Sequence, residues 1–183
     1  MTGDPLLKRT PIYQGRVVEL NLEEVRMPDG TSATMEVIRH RGAGATLALL
    51  DEPRSDDPRL LLIRQYRYAC GGEILEIPAG LPEEGEDFQR CAGRELAEET
   101  GWRAGSLRFL TRFFTTPGFT DEVVHLYLAT DLSPVEQRQD PDEFIQVLSV
   151  PLSQALGWVR DGTIQDAKTA VALLLFAAIR QEF

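Results

Sequence analysis

The segment Gly80–Trp102 crowds three glutamates, Glu95, Glu98 and Glu99, into about one helical turn, with Arg94 beside them. Residues four positions apart project from the same face of an α-helix, so Glu95 and Glu99 point the same way. Like charges at that spacing repel by roughly 0.2–0.5 kcal/mol per pair. The chain must therefore fold so that something compensates the repulsion, and the compensating partner constrains both fold and chemistry.

A bound cation is the simplest compensation for this repulsion. Arg94 lies four residues before Glu98 and is expected to pair with it, which leaves Glu95 and Glu99 unpaired and facing the same volume. A hard divalent ion with oxygen ligands, magnesium or manganese, fits that volume. Zinc is disfavoured because histidines are few and cysteines do not cluster here. The alternative is that the charged helix is only a solvated face.

Local signals predict the bounds of this helix. It is expected to begin near Glu86 or Asp87 and to end at Thr100, because Gly101 suits the position after a helix. An apolar stripe at helical spacing would face the core, and it consists of Phe88, Cys91, Ala92 and Leu96.

The rest of the chain alternates between strand and helix patterns. Strands are predicted at 12–18, 20–27, 33–39, 45–50, 59–67, 107–114, 122–130 and 144–152, and helices at 153–162 and 166–183. A turn is predicted at Pro28–Gly30. Interspersed strands and helices indicate an α/β or α+β fold with helices on both faces of a mixed sheet.

Size and charge exclude several classes of protein. A chain of 183 residues with 43% hydrophobic residues is large enough for one compact domain with a small appendage. A formal net charge of −10 disfavours binding to nucleic acid. The two cysteines, Cys70 and Cys91, form no disulfide framework, the first residues lack a signal-peptide core, and the longest apolar run, 170–179, is too short to cross a membrane. A cytoplasmic location without a membrane partner is expected.

Nine positions of the opening segment form the pattern GX5EX7REUXEEXGU, in which U is a bulky apolar residue. They are Gly80, Glu86, Arg94, Glu95, Leu96, Glu98, Glu99, Gly101 and Trp102. A chance match at any one start position is roughly 10⁻⁹. The pattern resembles the signature of the Nudix hydrolases. The resemblance implies an α/β/α sandwich with a mixed sheet, a loop–helix–loop that binds Mg²⁺ or Mn²⁺, and hydrolysis of a nucleoside diphosphate linked to another moiety.

The resemblance also implies roles for individual residues. The metal ligands would be the side chains of Glu95 and Glu99, the backbone carbonyl of Ala79, and Glu143 in the acidic loop DPDEF. Asp140 or Asp142 could replace Glu143 as the base that activates water. The remaining catalytic residues would be Glu86, Arg94 and Glu98, which support the metal ligands.

Four further segments, RQYR, LEIPAGL, TTPGFTDE and DAKT, are similar to the ADP-ribose and nucleoside-diphosphate-sugar pyrophosphatases, as is Pro117 at fifteen residues beyond Trp102. This similarity implies hydrolysis of ADP-ribose to AMP and ribose 5-phosphate. The alternatives are another nucleotide sugar such as GDP-mannose, or a Nudix ligand sensor without catalysis. It also implies a homodimer, in which an N-terminal β subdomain, residues 1–40, is swapped between subunits, and residues 41–183 form the Nudix domain.

The same similarity suggests a substrate site that includes Pro117. Arg64 or Arg67 would clamp a phosphate. Glu122, or less directly Glu76, would hold ribose hydroxyls. Val17 or Arg39 of the partner subunit would contact the base. The two histidines, His40 and His125, are expected to be structural.

Overall fold

The computed structural model describes residues 5–139 and 144–183. Asp140, Asp142 and Glu143, which are candidates for the catalytic base, lie outside the described residues. Contacts divide the chain into two compact units. The first consists of residues 1–42 and Phe114–Val123, and the second of Ala43–Phe113 and Val124–Phe183. Each unit is described by itself.

The first unit contains an antiparallel three-stranded sheet in the order β1 (Leu6–Gln14), β2 (Glu19–Arg26) and β3 (Ser32–Arg39). The prediction of a strand at 12–18 was wrong in its bounds, because the Gly15 N–H bonds the Val18 carbonyl and closes a turn there. The predicted turn at Pro28–Gly30 is confirmed, with both Thr31 donors on the Asp29 carboxylate. Segment 114–123 joins this unit through hydrogen bonds to Ile38.

The second unit is built on a seven-stranded sheet. Its main path runs β12-β5-β4-β10-β9, while β6 pairs with β5 and β7 pairs with β4. Strands β4 and β10 are parallel, and β5 runs antiparallel to β4, β6 and β12, so the predicted α/β fold with a mixed sheet is confirmed. The strands are β4 (Ala43–Leu49), β5 (Arg59–Arg67), β6 (Gly72–Glu76), β7 (Ala79–Gly80), β9 (Ser106–Phe114), β10 (Val123–Thr130) and β12 (Ile145–Pro151), beside a separate pair of β8 (Trp102–Arg103) and β11 (Ser133–Pro134).

Helices cover both faces of this sheet. They are α1 (Phe88–Thr100), α2 (Leu152–Asp161) and α3 (Ala167–Ile179), with short 3₁₀ turns at Tyr68–Cys70 and Arg180–Glu182. On β5, Leu60 and Leu62 pack in the cluster that contains α2 and α3 residues, and Leu61 packs with α1. Each fully buried leucine contributes about 2 kcal/mol of transfer free energy, which explains the unbroken apolar run on β5. Among the described helices, none has the length and apolarity that a membrane crossing requires.

Helix α1 begins and ends where the local signals predict. The Asp87 carboxylate caps its N-terminus by accepting the Arg90 N–H at 2.8 Å. Gly101 ends it in the left-handed conformation, with φ of 73°. Phe88, its first residue, stacks on His125 of β10 with ring centroids 3.9 Å apart. These contacts fix the helix that carries the acidic cluster against the sheet.

Candidate active site

Arg94 is the centre of the acidic cluster in the second unit. Its Nε and Nη2 donate to the two Glu86 oxygens at 3.0 and 2.9 Å, and its Nη1 donates to Glu95 and Glu98 at 2.8 Å each. Nη2 also reaches the Leu81 carbonyl at 3.0 Å. The Glu86 carboxylate, followed by Glu98 and Glu95, raises the pKa of Arg94 well above its ordinary value. One guanidinium therefore bonds three of the carboxylates that the sequence concentrates here and offsets part of their mutual repulsion.

The expectation that Glu95 and Glu99 are both left unpaired was wrong. Glu95 bonds Arg94, because the Nη1 group that donates to Glu98 also donates to this neighbouring carboxylate. Glu99 is 1% exposed, and its Oε2 accepts the Ala79 N–H at 3.0 Å. The buried carboxylate of the helix is thus tied by a hydrogen bond to the backbone of β7.

Gly80 allows the closest approach between the loop and the helix. A Cβ at this position would stand 2.0 Å from Oε1 of Glu95, so no other residue leaves that carboxylate where it is. The backbone of Gly80 pairs with Gly44 on β4, and its carbonyl accepts the Cys91 thiol at 3.2 Å. Burial raises the pKa of Cys91 to about 11, so this thiol is a neutral packing group.

The donor chemistry fits a hard divalent cation. Glu95, Glu99 and the Ala79 carbonyl offer oxygen atoms at the junction of β7 and α1, where Gly80 leaves space for a close approach. Within residues 5–139 and 144–183, no three acidic, histidine or cysteine side chains converge as a metal cluster. Arg94 explains this in part, because it holds Glu95 by one hydrogen bond. If the hydrogen bond to Glu95 is released, Arg94 still bonds Glu86 and Glu98.

The two arginines of the RQYR segment have different surroundings. Arg67 donates from Nε and Nη2 to the Glu76 carboxylate at 2.7 and 3.1 Å. Arg64 is exposed, and its Nη1 lies 3.3 Å from the Gln146 side-chain oxygen. Arg64 therefore keeps most of its hydrogen-bonding capacity toward solvent, whereas Arg67 is held in a bidentate ion pair.

Glu76, a candidate for binding ribose, is 1% exposed and lies between two cations. Arg67 bonds both of its oxygens, and Lys168 of α3 also donates to Oε2 and lies 3.1 Å from Asp166 Oδ1. Burial raises the pKa of Glu76, but the hydrogen bonds and charges of Arg67 and Lys168 outweigh burial and lower it. Both oxygens of Glu76 already bond these cations. Contact between Glu76 and a ribose stays a prediction.

In the first unit, Arg39 belongs to an ion-pair network around the buried Glu23. It bonds Glu23, which is 2% exposed, through Nε at 3.1 Å and Nη2 at 2.5 Å, and bonds Asp121 through Nη1 at 3.0 Å. Arg9 adds a third cationic contact to Glu23 at 2.8 Å. The guanidinium of Arg39 lowers the pKa of Glu23. The network fixes the Arg39 side chain at the end of β3.

The other candidates of the first unit lie on its turns. Glu122 accepts the Thr115 hydroxyl at 2.7 Å and lies 3.5 Å from Nδ1 of His40. Pro117 is exposed in the turn before it, and Val17 is 43% exposed between β1 and β2. The unit therefore brings Arg39 and Glu122 together through the neighbouring Asp121, while Val17 has only its own exposure in support.

Sequence reasoning missed three residues that organise these clusters. Lys168 lies in the DAKT segment, which was recognised only as a similarity and received no role. Glu23 and Asp121 hold Arg39, and each sits in an ordinary charged stretch of sequence. Neither stretch gives a local sign of these contacts, because Arg39 is 16 residues from Glu23 and 82 from Asp121 in sequence.

Comparison with known proteins identifies the family. A family model described as the NUDIX domain matches residues 40–173. An ADP-ribose pyrophosphatase of Bacillus subtilis is 41% identical over 169 residues, covering 91% of this chain and 89% of that protein. A methanol dehydrogenase activator of Bacillus methanolicus is 39% identical with the same coverage. A GDP-mannose pyrophosphatase of Klebsiella pneumoniae is 36% identical over 159 residues, 78% of each chain.

Comparison with a solved structure shows the same fold. The crystal structure of an ADP compounds hydrolase has a TM-score of 0.82 to this chain, with 23% identity, and covers 97% of this chain and 94% of that one. Nudix pyrophosphatases generally require a divalent metal ion, in agreement with the oxygen donors around Gly80. The family model spans most of the chain, and the acidic helix lies inside the matched range. The chain belongs to the Nudix family.

Proposed function

We propose that this chain is a pyrophosphohydrolase that converts ADP-ribose and water into AMP and ribose 5-phosphate. The observation that carries the proposal is the contact between strand β7 (Ala79–Gly80) and helix α1. There the buried Glu99 carboxylate bonds the Ala79 N–H, and Glu95 lies against Gly80. The name of the B. subtilis relative, at 41% identity, supports ADP-ribose as the substrate.

The residues that would hold a divalent ion are Glu95, Glu99 and the Ala79 carbonyl, with Glu143 as a further ligand or as the base. Mg²⁺ is the proposed ion, and Mn²⁺ is expected to replace it. When bound, the ion would neutralise substrate charge and lower the pKa of a water molecule. A chain with a net charge of −10 needs such a counter-charge before it can bind a pyrophosphate.

The chain's own residues would prepare the site for hydrolysis. Arg94 holds Glu86 and Glu98 and keeps them from repelling the neighbouring ligands. Hydrolysis adds one water across the P–O–P bridge: an oxygen–phosphorus bond forms, the bridging phosphorus–oxygen bond breaks, and the base accepts the water proton. Glu143 is the proposed base, with Asp140 or Asp142 as alternatives.

Substrate-binding roles are proposed for residues of each unit separately. In the second unit, Arg64 is the better placed of the two arginines to bind a phosphate, because Arg67 is committed to Glu76. In the first unit, Glu122 is proposed to hold the ribose, and Arg39 of the partner subunit is proposed to contact the base. Glu76 is proposed to contribute by fixing Arg67.

A homodimer is part of the proposal. Strand β1 has no buried residue, and its apolar side chains are exposed, at 45% for Leu7, 54% for Ile12 and 60% for Tyr13. Apolar residues on a strand of this kind mark a surface that associates with another chain. The proposed partner is a second copy of this chain. Val17 or Arg39 of one copy would contribute to the substrate site of the other.

The deciding experiment is a substrate panel with Mg²⁺ in ¹⁸O-labelled water, followed by mass spectrometry of the products. ADP-ribose is expected to give AMP and ribose 5-phosphate, with the label on one of them. The labelled product identifies which phosphorus is attacked. Turnover of GDP-mannose in preference to ADP-ribose would replace the proposed substrate with the alternative that the K. pneumoniae relative suggests.

Absence of turnover on the whole panel would favour a ligand sensor. The relative named as a methanol dehydrogenase activator makes this alternative concrete, because that name describes action on another protein. A sensor would still bind ADP-ribose in calorimetry without releasing product. The intact acidic cluster around Arg94 argues for turnover, since a sensor needs no charged metal ligands.

A further inference from the structure

Five consecutive residues of the second unit, Glu76 to Gly80, are each held by a different partner. The Glu76 carboxylate bonds Arg67 and Lys168, and the Ile77 N–H bonds the Thr169 hydroxyl. The Pro78 carbonyl accepts the Thr46 N–H, the Ala79 N–H bonds Glu99, and the Gly80 carbonyl accepts the Cys91 thiol. Each residue of this segment, from the end of β6 through β7, is thus held by a hydrogen bond or an ion pair as the chain reaches the proposed metal site.

Thr169 is the deepest of these supports. It is 0% exposed in the first turn of α3. Its hydroxyl donates to Asp166 Oδ2 at 2.5 Å and accepts the Ile77 N–H at 2.8 Å. Asp166 is the N-cap of the helix and also accepts the Thr169 N–H at 2.9 Å. The hydroxyl therefore relays the capping hydrogen bond of α3 to the backbone of the loop.

Lys168 provides a second connection from the same turn. Its ammonium bonds the buried Glu76 carboxylate and lies 3.1 Å from Asp166 Oδ1. Its side chain is 16% exposed, so solvent screens this charge only weakly. The ion pair fixes Glu76 three residues before Ala79, and Thr169 fixes Ile77 two residues before it.

We propose that the turn Asp166–Thr169 of α3 positions the metal site by holding the loop 76–79, so that the Ala79 carbonyl and the Glu99 carboxylate keep their places. Lys168 and Thr169 are positioning residues that touch neither metal nor substrate. The inference rests on the proposed function, because it takes Ala79 and Glu99 as metal ligands. It also gives a role to the DAKT segment.

The expected effect is on metal affinity. Loss of a group that orients a metal ligand typically lowers metal affinity by 10–100-fold. Thr169→Val keeps the volume and branching of threonine but removes the hydroxyl, which leaves the Ile77 N–H buried without its acceptor. Thr169→Ser restores the hydroxyl and should restore the affinity.

The experiment measures Mn²⁺ binding to the full chain without substrate, by electron paramagnetic resonance of the free ion. Wild type is expected to show a tight site that Glu99→Gln removes. Thr169→Val should raise the dissociation constant of that site at least 10-fold, and Thr169→Ser should stay within about 3-fold of wild type. Thermal unfolding of each variant is recorded in parallel.

Thr46→Val is the matched control. Thr46 is also a fully buried threonine, and its hydroxyl donates to the Ala92 carbonyl at 2.9 Å. Its backbone N–H, which holds Pro78, is unchanged by the substitution. This variant is expected to lose thermal stability while keeping wild-type Mn²⁺ affinity. An equal loss of affinity in Thr46→Val and Thr169→Val would overturn the inference in favour of general destabilisation.

Lys168→Met provides an independent second variant, which also serves if Thr169→Val fails to fold. It removes the cation from Glu76 while the Thr169–Ile77 hydrogen bond remains, and weaker Mn²⁺ binding is expected. The inference is wrong if Lys168→Met and any folded Thr169→Val bind Mn²⁺ with wild-type affinity. Failure of the proposed function looks different, because wild-type protein would then bind Mn²⁺ weakly or hydrolyse no substrate on the panel.

Discussion

The backbone N–H of Ala79 bonds Oε2 of Glu99 at 3.0 Å, and this bond joins the loop before the acidic helix to the last turn of that helix. The two residues are twenty apart in sequence, yet both are proposed to bind the same metal ion. A buried carboxylate that accepts a backbone N–H is held in a fixed orientation. Metal affinity and local stability should therefore both depend on Glu99.

Replacement of Glu99 by glutamine tests this dependence. Glu99→Gln keeps the size of the side chain and can still accept the Ala79 N–H, but it removes the negative charge. We expect kcat to fall by at least ~10³, because the ion that activates water would lose a ligand. The measurement is steady-state hydrolysis of ADP-ribose with Mg²⁺.

Glu52→Gln is the control for that variant, since Glu52 is an exposed glutamate on the loop between β4 and β5. Its turnover should match wild type. Unchanged turnover in Glu99→Gln, with ADP-ribose confirmed as the substrate, would remove Glu99 from the site.

Alanine substitutions at two glycines, Gly80 and Gly44, give a second test of the site. The added methyl group would meet different neighbours at each position. Gly80→Ala would push aside the end of the flexible Glu95 side chain, 2.0 Å from the new Cβ. We expect Mn²⁺ affinity to fall about 10-fold or more, while the free energy of unfolding changes by less than about 1 kcal/mol. Calorimetry and urea unfolding measure the two quantities.

Gly44→Ala is the matched comparison on the paired strand. There the added Cβ would stand 2.7 Å from the Phe88 carbonyl and 2.8 Å from the Ala92 nitrogen, which are backbone atoms that cannot swing away. A loss of about 1–3 kcal/mol of stability is expected. If Gly80→Ala destabilises the protein as much as Gly44→Ala does, the added methyl group is not accommodated by movement of the Glu95 side chain.

Local signals allowed parts of the fold to be predicted well. Strand β5 occupies 59–67 as predicted, because the apolar run 60–63, buried on both faces, marks its first half clearly. Helix α1 was bounded correctly because its Asp87 cap and Gly101 stop are set by nearby residues. Strand β1 was misplaced since all but its first residue are exposed, so no burial pattern marks it.

The partners of charged residues were harder to predict from the sequence. The pairing of Arg94 with Glu98 follows from helical spacing, and it is confirmed. The bond of Arg94 to Glu86 depends on how the segment before the helix folds back, which spacing on a helix does not describe, and the bond to the adjacent Glu95 depends on side-chain conformation. The burial of Glu76 between Arg67 and Lys168 joins three separate segments, and only the folded chain brings them together.

The proposed dimer can be tested at one exposed position of β1. Ile12→Asp places a charge on a strand whose apolar side chains are exposed in the single chain. If β1 is buried against a second copy, the variant should become monomeric in size-exclusion chromatography with light scattering. A fall in ADP-ribose affinity should accompany dissociation.

Leu174→Asp on α3 is the control, because Leu174 is 53% exposed and apolar but lies in the second unit. It should leave the oligomeric state unchanged. A protein that is monomeric before any substitution contradicts the dimer proposal directly. Dissociation by Leu174→Asp alone would assign the interface to α3.

Removal of the guanidinium at the centre of the cluster gives a pH-dependent prediction. Arg94 lowers the pKa of Glu86 below its ordinary value of 4.5, mainly through their hydrogen bonds. A carboxyl group with a lowered folded-state pKa contributes stability above its unfolded pKa, and loses that contribution as pH falls through the folded pKa. Arg94→Met should therefore cost about 2 kcal/mol of unfolding free energy at pH 7 without divalent ions, and the difference should narrow below pH 4.5.

Urea unfolding of wild type and variant between pH 3 and 7 measures this difference. Arg90→Met is the matched control on the same helix, where the arginine is 79% exposed and lies 3.8 Å from Asp87. Its effect should stay within about 0.5 kcal/mol at every pH. A stability difference for Arg94→Met that does not change with pH would mean that lost packing, and not lost neutralisation of the glutamates, is what the arginine contributes.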